Sequence, residues 1–160
     1  MMKGQLLVCD DIQFDRAEKS HRLGKVINAM HASVLPYVET LHIFAKLSEI
    51  PAHETIDIVI TIRDEEEETI GMLESFATRN HRSEDQPPGV DISTTIAATI
   101  CLTGPIQIDL YANGEWLDRY SLVVRLQHVA GEVVPDKRII SLETSHLLGI
   151  DIDTRFPTRQ

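Results

Sequence analysis

Cys9, Asp10 and Asp11 are the first residues in the chain whose types could do catalytic chemistry, as a thiolate nucleophile with neighbouring acids. A catalytic cysteine needs an electropositive setting that lowers its pKa, and two adjacent aspartates have the opposite effect. Cys9 and Cys101 both lie in strand-like apolar runs without paired spacing. We therefore expect two reduced core thiols, with a single Cys9–Cys101 disulfide as the alternative.

Seven histidines and one acidic run raise the question of a metal site. No two histidines are separated by the two, three or four residues that would place both on one ion from a single element. The run Asp64 to Glu68 could gather a divalent cation, but calcium sites converge ligands from spaced positions, so a solvated turn is favoured. No cofactor is expected. The histidines are His21, His31, His42, His53, His81, His128 and His146.

The sequence contains no motif of the common enzyme classes. It has no glycine-rich phosphate loop, no GxSxG elbow, no HExxH and no paired CxxC, which argues against an enzyme. With 15 basic and 25 acidic side chains the net charge is −10, a field that repels nucleic acid and anionic bilayers. The first residues lack a signal peptide's apolar region and no stretch is long enough to span a membrane, so a cytoplasmic protein is expected.

The aromatic side chains beside an Asn-Gly turn form a candidate contact site. Tyr111 and Trp116 flank Asn113, and exposed aromatics on strands can stack on a sugar ring or a partner's surface. Cross-strand packing within the hairpin is the alternative.

These residues belong to a β-hairpin, residues 105–127, that is the clearest structural signal in the chain. Asn113-Gly114 supplies two residues that tolerate positive φ, as a type I′ turn demands. Counting by twos places Trp116 on the same face as Leu122 and Val124. The return arm is apolar on both faces, which predicts an inner strand.

The remaining pattern predicts an all-β protein. Seven or eight strands separated by polar turns indicate an antiparallel β-sandwich, immunoglobulin-like or C2-like, with a barrel as the alternative. A break is expected at Asp10-Asp11, and a bulge at Gly24. The predicted strands before the hairpin are residues 5–14, 21–30, 41–47, 55–63, 69–78 and 90–102, with a loop at residues 79–89.

Residues 128–160 differ in character and are predicted to be a C-terminal extension of the domain formed by residues 1–127. Their apolar islands are too hydrophobic for a disordered tail. The extension is expected to pack on its own domain or on a neighbouring subunit, which would give a homo-oligomer. The candidate contact residues are Ile139, Ile140, Leu147 and Leu148.

The opening segment QLLVCDDIQF and the hairpin IQIDLYANGEW…SLVVRL resemble a group of small bacterial proteins of unknown function. Chains of that group begin with a strand followed by Asp-Asp and end the domain with a turn, an inner strand and an outer strand. Gly-Lys-Val-Ile at residues 24–27 also fits, since a glycine-lysine pair precedes an apolar strand there. The resemblance covers residues 1–127 and implies a β-sandwich without catalytic residues.

We therefore expect a non-enzymatic, cytoplasmic β-sandwich that contacts a protein partner, either itself or another bacterial protein. The extension and a sheet edge would form the contact surfaces. The alternative is a module that binds a small ligand or carbohydrate with the loop at residues 79–89 and the hairpin aromatics.

Overall fold

A computed structural model describes residues 1–127, which form an all-β structure. Within this part of the chain there are ten strands and no helix. In chain order they are β1 (Lys3–Cys9), β2 (Ile12–Asp15), β3 (Ser20–Leu23), β4 (Ala29–Ala32), β5 (Tyr37–Ser48), β6 (Ile56–Arg63), β7 (Thr69–Thr78), β8 (Gly89–Ile100), β9 (Gly104–Ala112) and β10 (Glu115–Leu126).

The strands form two larger sheets and a two-stranded ribbon. The three-stranded sheet has the order β1-β5-β8, the five-stranded sheet has the order β4-β10-β9-β6-β7, and β2 pairs with β3. All pairs are antiparallel except β4 with β10, which run parallel over residues 123–126 of β10. Among the first four strands, β1 belongs to the three-stranded sheet and β4 belongs to the five-stranded sheet.

Alternating aliphatic side chains from both larger sheets form one buried cluster. Every second residue of β6 is an isoleucine with 0% exposure, and β5 is buried at alternate positions in the same way. Because each fully buried aliphatic side chain stabilises the fold by about 1.5–3 kcal/mol, this cluster is the main source of stability. The residues are Ile56, Ile58, Ile60 and Ile62 on β6, and Leu41, Ile43, Ala45 and Leu47 on β5.

Most of the predicted strands are confirmed. The strand at residues 69–78 pairs back on β6 as expected, and the hairpin turn has φ of 49° at Asn113 and 79° at Gly114. The break at Asp10-Asp11 separates β1 from β2. Both cysteines are free thiols.

The single strand predicted at residues 21–30 is wrong, because this segment contains the end of β3 and the start of β4, which lie in different sheets. Asp10 draws the chain across the end of β1, since its Oδ1 accepts from the Lys25 amide at 2.7 Å and its own amide donates to the Lys25 carbonyl at 2.9 Å. A Cβ at Gly24 would lie 2.2 Å from Asp10 Oδ1, so any larger residue would push this carboxylate away from the Lys25 amide. The count of seven or eight strands was low for the same reason.

The predicted contact residues Ile139, Ile140, Leu147 and Leu148 lie outside the described residues, as does the whole predicted extension at residues 128–160. Among residues 1–127, no helix is long and apolar enough to cross a membrane.

Candidate functional site

Asp109 is the one fully buried charged residue in the described part of the chain, with 0% exposure. It lies at the centre of β9, where Ile106, Ile108 and Leu110 point into the core. Its position in the alternation places Asp109 on the opposite, outward face of the five-stranded sheet. Since none of the ten described strands covers that face, neighbouring side chains must shield the carboxylate.

Three side chains surround Asp109 and donate to it. Trp116 Nε1 donates to Oδ1 at 2.9 Å, and Arg63 Nη2 donates to Oδ2 at 2.7 Å. Arg119 donates from Nε to Oδ1 at 2.8 Å and from Nη2 to Oδ2 at 3.2 Å. We call Asp109, Arg63, Arg119 and Trp116 the Asp109 network. It uses strands β6, β9 and β10, so it fixes side chains from three strands relative to one another.

The electrostatics of the network favour the charged forms of Asp109, Arg63 and Arg119. Burial alone would raise the pKa of Asp109, but the hydrogen bonds from Arg119, Arg63 and Trp116 outweigh burial and lower the pKa to about 2. Hydrogen bonding to Asp109 also raises the pKa of both arginines. The carboxylate is therefore an anchor for its three donors and is not set up as a proton donor at neutral pH.

Arg63 links the network to the acidic run. Its second guanidinium nitrogen, Nη1, forms an ion pair with Glu67 in the turn between β6 and β7. Asp64 Oδ1 organises this turn by accepting from the amides of Glu66 at 2.9 Å and Glu68 at 3.1 Å. The run is thus a turn, as predicted. Within residues 1–127, no three His, Cys, Asp or Glu side chains are grouped as metal ligands would be.

Trp116 is 54% exposed although its indole N–H is fixed by Asp109. The prediction that it shares a face with Leu122 and Val124 is wrong, because a β-bulge lies between Trp116 and Asp118 and reverses the alternation. Leu122 and Val124 are buried in the core, whereas Trp116 points outward. Tyr111 is directly opposite Trp116 on β9, so the structure brings these two predicted contact residues together.

Asn113, the third predicted contact residue in this region, serves the turn. Its Oδ1 accepts from the Asp57 amide at 2.9 Å, and its own amide donates to the Asp57 carbonyl at 2.8 Å. These two hydrogen bonds tie the hairpin turn to the first residues of β6. Both of these hydrogen bonds of Asn113 are therefore structural contacts within the fold.

The outward side chains around the network form what we call the Trp116 face, namely Trp116, Tyr111, Arg119, Arg63 and Met72. Arg119, Asp109, Thr61 and Met72 lie in one row across β10, β9, β6 and β7. Met72 is 49% exposed on the outermost of these strands. The face therefore combines exposed apolar groups with two arginines held by a buried anion.

A cleft of about 720 Å³ lies beside Trp116, at the corner between the two larger sheets. It is lined by Met1, Met2, Lys3, Gly4, Gln5, Lys46, Ser48, Glu115, Trp116 and Leu117. The predicted ligand loop at residues 79–89 is not part of this lining. Instead, Arg82 holds the loop against the start of β8 by donating to the Pro87 carbonyl and to Asp91 Oδ1, both at 3.1 Å.

Within residues 1–127, a second cleft of about 380 Å³ brings Cys9 and Asp10 together with His31, Glu39 and His42, without grouping them as metal ligands would be. Burial raises the pKa of Cys9 and the neighbouring Asp10 raises it further, so the thiol is not activated. His21 contacts two phenylalanine rings, tilted against Phe14 with the centroids 4.9 Å apart and edge-on to Phe44 with the centroids 5.3 Å apart. His21 therefore packs against these rings as part of the fold.

Sequence reasoning missed Asp109, Arg63 and Arg119, the charged members of the network. The signal in the sequence is Asp109 itself, an aspartate in the middle of a strand whose inward positions are all aliphatic. Because this strand lies between two others, the neighbouring strands partly cover its outward side chains. Reading that signal requires knowing which arginine lies opposite Asp109, and the bulge at Leu117 hides this from the sequence.

Comparison with known proteins gives no family assignment. No protein-family model matches the chain, and no curated protein matches it. Of the solved structures that are similar to this chain, three have TM-scores between 0.39 and 0.45. An alkylpurine DNA glycosylase from Pseudomonas fluorescens, bound to DNA with an abasic site analogue, is 12% identical with a TM-score of 0.41, and the match covers 78% of this chain and 30% of the glycosylase.

The other two similar structures are an adhesin and an immunoglobulin-like protein. The bacterial adhesin from Mobiluncus mulieris is 8% identical with a TM-score of 0.45, over 79% of this chain and 57% of the adhesin chain. The immunoglobulin-like protein from Pseudomonas aeruginosa is 11% identical with a TM-score of 0.39, over 78% of this chain and 97% of the other. This degree of likeness carries no conclusion about activity.

Proposed function

We propose that the chain is an immunoglobulin-like antiparallel β-sandwich that works as a non-enzymatic, cytoplasmic protein-interaction module and associates with a second copy of itself through the Trp116 face. Cys9 and Cys101 are both free thiols, which is consistent with a reducing compartment. The tail at residues 128–160 would add contacts to the same assembly.

The sandwich arrangement is supported where the edges of the two larger sheets approach each other. On one side the Leu6 amide of β1 donates to Asp118 Oδ2 of β10 at 2.8 Å. On the other side a Cβ at Gly71 of β7 would lie 2.8 Å from the Ala97 carbonyl oxygen of β8. A core shared by the two sheets and their approach at both edges support a face-to-face sandwich.

The observation that carries the proposal is the composition and rigidity of the Trp116 face. Tryptophan, tyrosine, methionine and arginine are the residue types enriched at protein interfaces, and tryptophan, tyrosine and arginine dominate their binding energy. Trp116, Arg63 and Arg119 are already held in place by Asp109. Binding would therefore lose little side-chain entropy at these three positions, which favours affinity.

Charge supports a second copy as the partner. Two chains of net charge −10 repel each other over most of their surfaces. The charged side chains that project outward from β6, β9 and β10 are three arginines and two aspartates, and the ion pair of Arg63 with Glu67 brings the local charge to about zero. Two copies would meet here with less repulsion than their net charge of −10 implies. The residues are Arg63, Arg119, Arg125, Asp57 and Asp109.

Sedimentation equilibrium over a range of protein concentrations tests the proposal. We expect a concentration-dependent dimer that strengthens with salt, because salt screens the repulsion between two acidic chains and leaves the apolar contact intact. Met72→Lys should shift the chain toward the monomer. The matched control is Val38→Lys, a change at an exposed apolar position on the three-stranded sheet (66% exposed, against 49% for Met72), which should leave the dimer unchanged.

Two outcomes would contradict the proposal. A monomer at every concentration and salt condition would exclude self-association. A dimer that survives Met72→Lys but dissociates with Ile140→Asp and Leu147→Asp would place the contact in the tail and remove the Trp116 face from it.

A further inference from the structure

The corner cleft beside Trp116, defined by the ten lining residues given above, is a ligand-sized site that shares Trp116, and no other lining residue, with the proposed dimer contact. Its volume of about 720 Å³ lies within the range of roughly 300–1,000 Å³ that small-molecule sites occupy. Its walls come from β1, the end of β5 and the start of β10. Because Leu6 of β1 is tied to Asp118 of β10 at 2.8 Å, these walls are held together beside the cleft.

Trp116 limits what the ligand can be. The indole N–H is its one polar group, and Asp109 occupies that group. Trp116 can therefore offer the cleft only its apolar ring surface, in a fixed orientation. A flat, weakly polar ring face on the ligand is the complementary shape.

The rest of the lining is polar and contains two lysines, of which Lys3 is already paired with Glu49 at 2.6 Å. Lys46 and Lys3 both line the cleft, together with the Gln5 amide and the Ser48 hydroxyl. The nearest acid to Lys46 is Asp91 at 3.7 Å, and that carboxylate already accepts a hydrogen bond from Arg82 at 3.1 Å. Lys46 therefore keeps donors for a bound anion, while most of the chain's surface is acidic.

We propose that the corner cleft binds an anionic sugar, with one face of the sugar ring on Trp116 and its carboxylate on Lys46. The ring hydroxyls have Gln5, Ser48 and Glu115 as hydrogen-bond partners in the same lining. A neutral sugar lacks the group that Lys46 binds, and inorganic phosphate lacks the ring that Trp116 binds. The combination of these two contacts is the basis of the selectivity.

Titration of the full-length chain with D-glucuronate tests the site directly, because Trp116 is the sole tryptophan and its fluorescence reports on the cleft. We expect saturable quenching by glucuronate, at least tenfold weaker binding of glucose and no saturable response to inorganic phosphate. Lys46→Gln should weaken glucuronate about tenfold, the loss expected for one charge-assisted hydrogen bond. Lys25→Gln, an exposed lysine outside the cleft, is the matched control and should bind normally.

The outcomes separate this site from the dimer contact. Glucuronate binding that survives in Met72→Lys, together with about tenfold weaker binding in Lys46→Gln, supports a cleft that binds the sugar in the monomer. Equal binding of glucose and glucuronate would overturn the role of Lys46. Equal binding of phosphate and glucuronate would overturn the sugar, and no saturable response to glucuronate would overturn the site as a whole.

Discussion

Asp109→Asn is the most informative single substitution, because it keeps the shape of the side chain and removes the charge that three donors share. The asparagine NH₂ would point donors at the N–H groups of Trp116 or Arg119, and the two arginines would lose their common anion. Breaking a buried ion pair usually costs about 3–5 kcal/mol. We expect about 3 kcal/mol, since Arg63 and Arg119 are 26% and 39% exposed and can regain water.

The effect of Asp109 on the free energy of unfolding should depend on pH. The folded-state pKa of Asp109 is lowered from 3.8 to about 2, so the ionised carboxylate stabilises the folded protein. This contribution is complete above the unfolded value of 3.8 and is lost as the pH falls through about 2. A shift of this size corresponds to about 2 kcal/mol. The difference in stability between wild type and Asp109→Asn should therefore shrink by about 2 kcal/mol from pH 6 to below pH 2.

Urea denaturation at several pH values, followed by the fluorescence of Trp116, measures this difference. Taking the difference between the two proteins removes the titration of all other carboxylates, which both share. Asp57→Asn is the matched control, since Asp57 is exposed on the same face and bonded to the Ser75 hydroxyl. It should cost less than about 1 kcal/mol. A gap between wild type and Asp109→Asn that stays constant with pH, or is absent at neutral pH, would refute the role given to Asp109.

Substitutions at two positions and one measurement of thiol reactivity test local features of the fold. Gly71→Ala should destabilise by about 1–3 kcal/mol in urea, because its Cβ would press on the Ala97 carbonyl at 2.8 Å. Asn113→Ala should cost about 1–2 kcal/mol by thermal unfolding, and Asn113→Gly less, because glycine keeps the positive φ and loses only the bond to Asp57. The Cys9 thiol should react with a thiol reagent at pH 8 far more slowly in the native than in the unfolded chain, since burial and Asp10 raise its pKa.

The features that the sequence predicts well are those decided by neighbouring residues. The isoleucines of β6 alternate without interruption, and the Asn113-Gly114 turn needs two residues at positive φ, so both follow from local rules. The ribbon and β4 depend on contacts across the fold. At Gly24 the chain changes sheet because of Asp10, which is far from it in sequence but adjacent in space.

The alternation around Asp109 shows why the candidate site could not be predicted in the same way. Counting outward from the two-residue turn pairs Asp109 with Asp118, and two carboxylates opposite each other are destabilising. The bulge at Leu117 shifts the register by one residue, so Asp109 faces Arg119 instead. Asp118 then bonds the Leu6 amide at 2.8 Å.

One inserted residue thus gives each carboxylate a partner and turns Trp116 outward. The partners that make the bulge favourable are distant in sequence, 46 residues away for Arg63 and 112 residues away for Leu6. A local pattern contains no information about either distance. A single register shift therefore accounts for the exposed Trp116, the buried Asp109 and the hydrogen bond between Asp118 and the Leu6 amide. A change that removed the bulge would alter all three together.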